Sequence, residues 1–257
     1  MNVVRIRGGY PLAGTVRVSG SKNAALLMLS AALLTDRPCV LRNVPILSDV
    51  TFLLQILQTL GADITFMDPH TVRIHAAKID HRAPYELVRQ MRASVCLLGP
   101  LVGRLRRACV SLPGGCVIGH RPIDLHLNGL RKMGCEVDLV GGNVEVRADR
   151  LRGAPIFMGG RCGSTVTGTA NVLMAALLAP GETRIESAAC EPEVVDLCHL
   201  AVQMGAQIEG IGSPHLVVHG RDRLEGFDDT VMGDRIEAGT FVVGGVLTDA
   251  SIRVRSE

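Results

Sequence analysis

Residues Leu112 to His126, LPGGCVIGHRPIDLH, set one cysteine, Cys116, directly behind a Gly-Gly pair, with Arg121 shortly after it. Pro113, Gly114, Gly115 and Gly119 deny the segment regular structure, which predicts a mobile surface loop. Pro122 reads as the first residue of the helix that follows. The thiol is therefore expected to be accessible and close to fixed positive charge. Such surroundings favour a thiolate, against an ordinary cysteine pKa of about 8.5. The competing reading is a small apolar residue at a strand end. It accounts for neither the glycines on one side nor the arginine on the other.

A second candidate is Ser19-Gly20-Ser21-Lys22-Asn23, which leads straight into an apolar helix pattern. Small residues let the backbone approach a ligand, a helix start offers free N–H groups, and Lys22 adds a point charge. That combination suits a phosphate or carboxylate, although it is not a Walker motif. An ordinary Ser/Asn cap beside a solvated lysine would read the same. Arg92, in Met91-Arg92-Ala93-Ser94, and the stretch Gly163-Ser164-Thr165 hold the corresponding positions before two later helices. Converging basic groups and hydroxyls would hold a substrate with several anionic oxygens; three separate caps are the alternative. Arg104, Arg106 and Arg107 read as a solvated basic face. His120, Asp124 and His126 follow no familiar ligand spacing, so no metal is expected. Asp234-Arg235-Ile236-Glu237 fits either a capping arrangement for the last helix or a polar contact to substrate.

The elements that must position these groups come as a repeat. Ala31-Ala32-Leu33-Leu34 returns as Ala175-Ala176-Leu177-Leu178. At the same offset Gly61-Ala62 returns as Gly205-Ala206, and Val72 to His75 as Leu216 to His219. A weaker middle copy, with Gly134-Cys135, Val144 and Val146, lies halfway between. Each copy predicts a first helix (23–34, 94–103, 166–179), a strand (38–42, 108–112, 183–187) and a second helix (49–60, 122–133, 192–204). The second helix is amphipathic, as with Phe52, Leu53, Ile56, Leu57 and Leu60, and ends at Gly61, Gly134 or Gly205. A hairpin then follows: 62–66 with 71–75, 136–140 with 143–147, and 206–210 with 215–219, the middle one turning at Gly141-Gly142. Three βαβα-type units around a shared centre are the expected α/β architecture. They fill 22–229. Residues 1–21 and 230–257 stand outside, with strands expected at 3–7 and 14–19 joined through Gly8, Gly9 and Pro11, a helix at 236–247 and a strand from Ser251 to Arg255.

Composition closes off other classes. A net charge of +2, 3% aromatic residues and no tryptophan give no basis for a nucleic-acid partner. The longest apolar run, Ala24 to Leu34, is broken by Ser30 and is too short to cross a bilayer, so no membrane partner is expected. No secretion leader is expected either. Eight cysteines at irregular spacing argue against a disulfide framework and fit a reducing, cytoplasmic setting. Cys96, Cys135 and Cys198 are expected to fill the core.

Across its whole length the chain resembles the amino-terminal three-fifths of the UDP-N-acetylglucosamine enolpyruvyltransferases (1-carboxyvinyltransferases), the targets of fosfomycin. The motifs are SGSKNAAL at 19–26, MRAS at 91–94, the Cys116 segment, EPEVVD at 191–196 and DRIE-x-GTF at 234–241. The Cys116 loop separates it from the related enolpyruvylshikimate phosphate synthases. The resemblance implies an inverse α/β barrel of three repeated units with a truncated second domain. It implies transfer of the enolpyruvyl group of phosphoenolpyruvate to the 3-hydroxyl of UDP-N-acetylglucosamine, without a cofactor, as the first committed step of peptidoglycan synthesis. Cys116 would donate the proton, Lys22 and Asn23 would grip phosphoenolpyruvate, and Arg121 would hold its phosphate. Arg92, the segment Arg121, Pro122, Ile123, Asp124 and Leu125, the loop residues Arg161, Cys162 and Gly163, and Asp234 with Glu237 would face the nucleotide sugar. Gly159 and Ser48 stand where some members carry lysine. Members also continue beyond this C-terminus, into a region that supplies a general-base aspartate and further arginines. The alternatives are an inactive UDP-sugar-binding or regulatory protein, or a half-enzyme completed by a partner chain.

Overall fold

The computed structural model describes residues 3–5, 7–9, 12–112, 122–161 and 163–256. After β1 (Ala13–Arg17), the first unit runs through α1 (Lys22–Ala31), which continues as a 3-10 turn over Ala32–Leu34, then β2 (Pro38–Arg42), α2 (Ser48–Thr59), β3 (Asp63–Asp68) and β4 (Thr71–His75). A short α3 (Tyr85–Val88) opens the second unit, followed by a 3-10 helix Arg92–Leu97, α4 (Leu98–Leu105), β5 (Arg107–Ser111), α5 (Asp124–Lys132), β6 (Glu136–Val140) and β7 (Asn143–Arg147). The third comprises β8 (Pro155–Phe157), the two-residue strands β9 (Gly159–Gly160) and β10 (Gly163–Ser164), α6 (Val166–Ala176), β11 (Glu182–Glu186), α7 (Pro192–Gln203), β12 (Gln207–Glu209) and β13 (His215–His219). β14 (Asp228–Thr230), α8 (Arg235–Leu247) and β15 (Ser251–Arg255) end the chain.

The repeat is thus real, and local chemistry explains its joints. Gly61, Gly134 and Gly205 all take positive φ where the second helices stop, a conformation that costs glycine little. Gly141 and Gly142 both have φ > 0, as a two-residue turn of the primed type requires. One expectation needs refining: the first helix of the second unit is 3-10 over 92–97 and becomes α only at Leu98. Pro100 has no N–H to donate, so it is accommodated in the first turn of α4 and not in the middle of a longer helix.

Each unit folds its strands into a small antiparallel sheet, with the post-helix strand beside the hairpin. The segment leaving one unit then joins the next sheet in parallel. Arg82 bridges to Cys109, β8 pairs with β11, and β14 returns to β2. The third unit is thereby stitched back onto the first, and the ring closes. α1, α4 and α6 are buried nearly all round, with Ala24 to Leu34 and Ala170 to Ala179 almost wholly inaccessible. Helices lie inside and sheets outside, which makes this an inverse α/β barrel. Cys96, Cys135 and Cys198 do lie in the core, and burial pushes their thiols up to about 12.

Two expectations are corrected. The described residues of 3–7 form no strand; β1 pairs in parallel with β15, Ala13 opposite Ser251 and Arg17 opposite Arg255. The five-residue register with β15 already pairs β1 along one edge, so no partner strand at 3–7 is required. Nor are Arg104 and Arg106 a solvated face. Arg104 donates to the carbonyls of Leu33 (3.1 Å), Thr35 (2.8 Å) and Ala77 (3.0 Å), and Arg106 to that of Leu178 (3.0 Å). The cations neutralise the carbonyl ends of the inner helices of neighbouring units.

α7 carries a carboxyl in an unusual state. Burial first, and the nearby Asp229 second, raise Asp196 to about 6, and its Oδ2 is buried without a hydrogen-bond partner among the described residues. The folded chain holds a proton there that the unfolded chain releases near pH 4. This contribution to stability is therefore full below that value and lost as pH rises through about 6. Asp196→Asn should leave stability at pH 4 unchanged and raise it at pH 7 by about 1 kcal/mol, after discounting for the solvent that reaches the half-buried group. Urea unfolding at the two pH values measures it. An equal effect at both would refute the assignment.

Candidate active site

α1, the 3-10 helix Arg92–Leu97 and α6 begin at one end of the barrel, around a shared cavity of about 540 Å³. α1 contributes Lys22 and Asn23, the start of the 3-10 helix contributes Arg92, and α6 contributes Thr167 together with its capping residue Thr165. Pro122 and Ile123, where the Cys116 segment reaches α5, form another part of the wall. The expected convergence of one polar helix start from each unit is therefore observed. Partial positive charge from the helix N-termini adds to Lys22 and Arg92. An adjoining cavity of about 370 Å³ shares Asn23 and Thr167 and is closed by Glu193 and Arg235.

Capping chemistry explains how these starts are held. Ser21 accepts from the Ala24 N–H (3.3 Å) and Thr165 from the Gly168 N–H (3.2 Å). Asp234 caps α8 by accepting from Ile236 (2.8 Å) and Glu237 (3.0 Å), and its other oxygen takes the Lys22 N–H at 3.3 Å. Glu237 accepts from both the backbone N–H and the hydroxyl of Ser19. Both carboxylates thus fasten the start of α8 to the start of α1 and the residues just before it. α4 starts on Leu97, whose side chain cannot cap. Asn171 of α6 fills that role from across the barrel, accepting from the Gly99 N–H at 2.6 Å. Gly99 permits the approach, since a side chain there would strike the Asn171 carbonyl.

The remaining candidates divide clearly. Leu125 lies against Gly160 in the β9–β10 turn, where a side chain on that glycine would meet it at 3.2 Å. Arg161 and Gly163 are exposed on the same turn and Asp124 at the start of α5, and none of the three is among the cavity's lining residues. Cys116, Arg121 and Cys162 lie outside the described residues.

Sequence reasoning missed several lining groups. Asp49, in the first turn of α2, pairs with the Lys22 ammonium at 3.0 Å; only an acidic residue at a helix start hinted at it. Gln90 carried no signal. His126 is 2% exposed. Burial, and then the Arg92 charge, push its imidazole down to about 4, while Asp124 opposes them. It is a neutral group in a cationic cavity.

An inverse α/β barrel with a cation-lined cavity at one end is the architecture of an enolpyruvyltransferase domain. The enolpyruvyl transferase NikO from Streptomyces tendae superposes with a TM-score of 0.84 at 27% identity, over 97% of this chain and 59% of that one. The chain belongs to the EPSP synthase (3-phosphoshikimate 1-carboxyvinyltransferase) family, whose sequence pattern matches residues 6–256. Among curated relatives, the UDP-N-acetylglucosamine 1-carboxyvinyltransferase of Methylacidiphilum infernorum (isolate V4) is 51% identical over 96% of this chain and 58% of its own length. That of Akkermansia muciniphila is 47% identical over 99% of this chain and 60% of its own length. The chain therefore spans about three-fifths of the curated relatives it matches. Among the described residues no helix is long and apolar enough to cross a membrane.

Proposed function

We propose that this chain is the larger part of a UDP-N-acetylglucosamine 1-carboxyvinyltransferase, working in the cytoplasm at the first committed step of peptidoglycan synthesis. The observation that carries the reading is the cavity where Lys22, Asn23 and Arg92 meet, beside the point where the Cys116 segment enters α5. The 46–51% identity to relatives of that name supports UDP-N-acetylglucosamine as the acceptor. In the reaction the sugar's 3-hydroxyl adds to C2 of phosphoenolpyruvate while C3 takes a proton. Loss of phosphate together with a C3 proton then leaves the enolpyruvyl ether. Lys22, Asn23 and Arg121 hold the phosphoenolpyruvate oxyanions, and Cys116 on its loop delivers the proton to C3. Arg92, Pro122 to Leu125, Arg161, Cys162 and Gly163 face the nucleotide sugar, with Asp234 and Glu237 at the edge of that site.

Residues 22–229 form the three-unit domain, and 1–21 with 230–257 belong to a second one. α8 supports this. Gly245 is its buried residue among those described, while Val242, Val243, Val246 and Leu247 are 54–80% exposed, an apolar surface that further protein would cover. That face also supports the half-enzyme reading, in which a partner chain supplies the missing wall. The chain by itself should bind UDP-N-acetylglucosamine weakly and release no phosphate from phosphoenolpyruvate. Adding the carboxy-terminal two-fifths of the M. infernorum relative should restore phosphate release, and Cys116→Ser should abolish it again. Release by the 257-residue chain alone would refute the need for a second wall. No release and no nucleotide-sugar binding in the mixture would refute the function.

A further inference from the structure

We propose that Asn171 locks His126 in the tautomer protonated on Nε2, and that this turns the Thr167 hydroxyl into a hydrogen-bond donor aimed at the substrate cavity. The inference rests on the functional reading above and names a binding group and two positioning residues within the same site.

Asn171 is wholly buried. Its Oδ1 accepts from the Gly99 N–H at 2.6 Å, and its amide nitrogen donates to the Val95 carbonyl at 2.8 Å. Reversing the amide would set N–H against N–H at one contact and oxygen against oxygen at the other, so the orientation is forced. The second amide hydrogen then points at His126 Nδ1, 2.9 Å away. That nitrogen must offer its lone pair. A neutral imidazole carries one proton, which is left on Nε2, and Nε2 lies 3.3 Å from Thr167 Oγ1. The threonine oxygen accepts it.

The imidazole is neutral at ordinary pH, since burial and the Arg92 charge outweigh Asp124. Were it protonated, Nδ1 would confront the Asn171 amide donor. Thr167 therefore cannot donate to the ring. His126 is its one partner among the described residues, so its own proton is unspent. Thr167 lines both cavities, within the same wall as Lys22 and Arg92. A third donor beside two cations suits an anionic oxygen of a phosphate or carboxylate. The chain from Val95 and Gly99 through Asn171 and His126 holds that donor in place without adding charge.

The tautomer is measurable directly. Nitrogen NMR of the histidine-labelled 257-residue chain, with His126 assigned by its absence in His126→Gln, should show a proton on Nε2 and a lone pair on Nδ1 at pH 7. A proton on Nδ1, or an imidazolium, would overturn the proposal without recourse to any variant. For the donor, UDP-N-acetylglucosamine is titrated into the chain and into Thr167→Ser and Thr167→Val. Loss of one such hydrogen bond should weaken the valine variant about tenfold, while serine restores affinity to within about twofold. The valine variant must also keep the Nε2 proton. Equal affinity in all three would overturn the donor role. If the wild-type chain binds no nucleotide sugar while His126 still carries its proton on Nε2, the substrate reading falls and the donor role with it, and the lock stands.

Discussion

Asn171→Ala should destabilise the chain by about 2–6 kcal/mol, the sum expected when two buried groups lose their partners at 1–3 kcal/mol each. Those groups are the Gly99 N–H and His126 Nδ1; the Val95 carbonyl loses the Asn171 amide but keeps the Leu98 N–H. The first is an orphan donor at the start of α4, where Leu97 offers no side-chain cap. Against a typical total of 5–15 kcal/mol this is a large fraction. The midpoint of urea unfolding should fall with little change in slope. A loss below about 1 kcal/mol would mean that water takes over both contacts. His126 adds a pH signature. Its imidazole, ordinarily near 6.5, is held down to about 4 in the folded chain. The unfolded chain takes up a proton that the folded one refuses, so this contribution is intact above pH 6.5 and drains away as pH falls towards 4.

Arg235→Ala should be the other severe change. Glu193 is 2% exposed and its carboxylate is matched by the Arg235 guanidinium at 3.0 Å and 3.3 Å. Removing the cation strands a buried charge, which in a dry pair costs about 3–5 kcal/mol. Arg235 is itself 47% exposed, so water will reach the vacated carboxylate, and a loss of about 2–3 kcal/mol is expected. Glu193→Gln keeps a neutral acceptor and should cost clearly less. Hydrogen exchange separates the local consequence from the global one. In Arg235→Ala the amides of α8 should exchange faster than those of α1, because the pair fastens α8 to α7 beside the smaller cavity. Uniform acceleration across both helices would contradict this.

How much was legible beforehand depends on how far apart the interacting residues lie. Gly61, Gly134, Gly205, Gly141 and Gly142 declare their roles within a few residues, since a helix stop or a tight turn needs only local backbone freedom. Lys22, Arg92 and Thr165 were legible as a set, because the repeat places them at equivalent helix starts. Asn171 was not singled out. A lone amide in the apolar run from Gly168 to Leu178 was nevertheless a signal, since a polar group bound for the core must find partners there. Arg104 and Arg106 were misread because their carbonyl partners belong to other units. The strand expected at 3–7 failed for a similar reason: β1 found its partner in β15, at the far end of the chain.

The sequence by itself determined the repeat, the order of helices and strands, the amphipathic pattern of the second helices, and the family. These follow from periodicity and from backbone preferences that act over one or two turns. Tertiary structure alone decided that the ring closes by β14 joining β2, that Asp49 meets Lys22, and that His126 sits neutral between Asn171 and Thr167. Each brings together groups from separate elements. Their energies depend on burial and on hydrogen-bond direction, which exist only once the inner helices have packed.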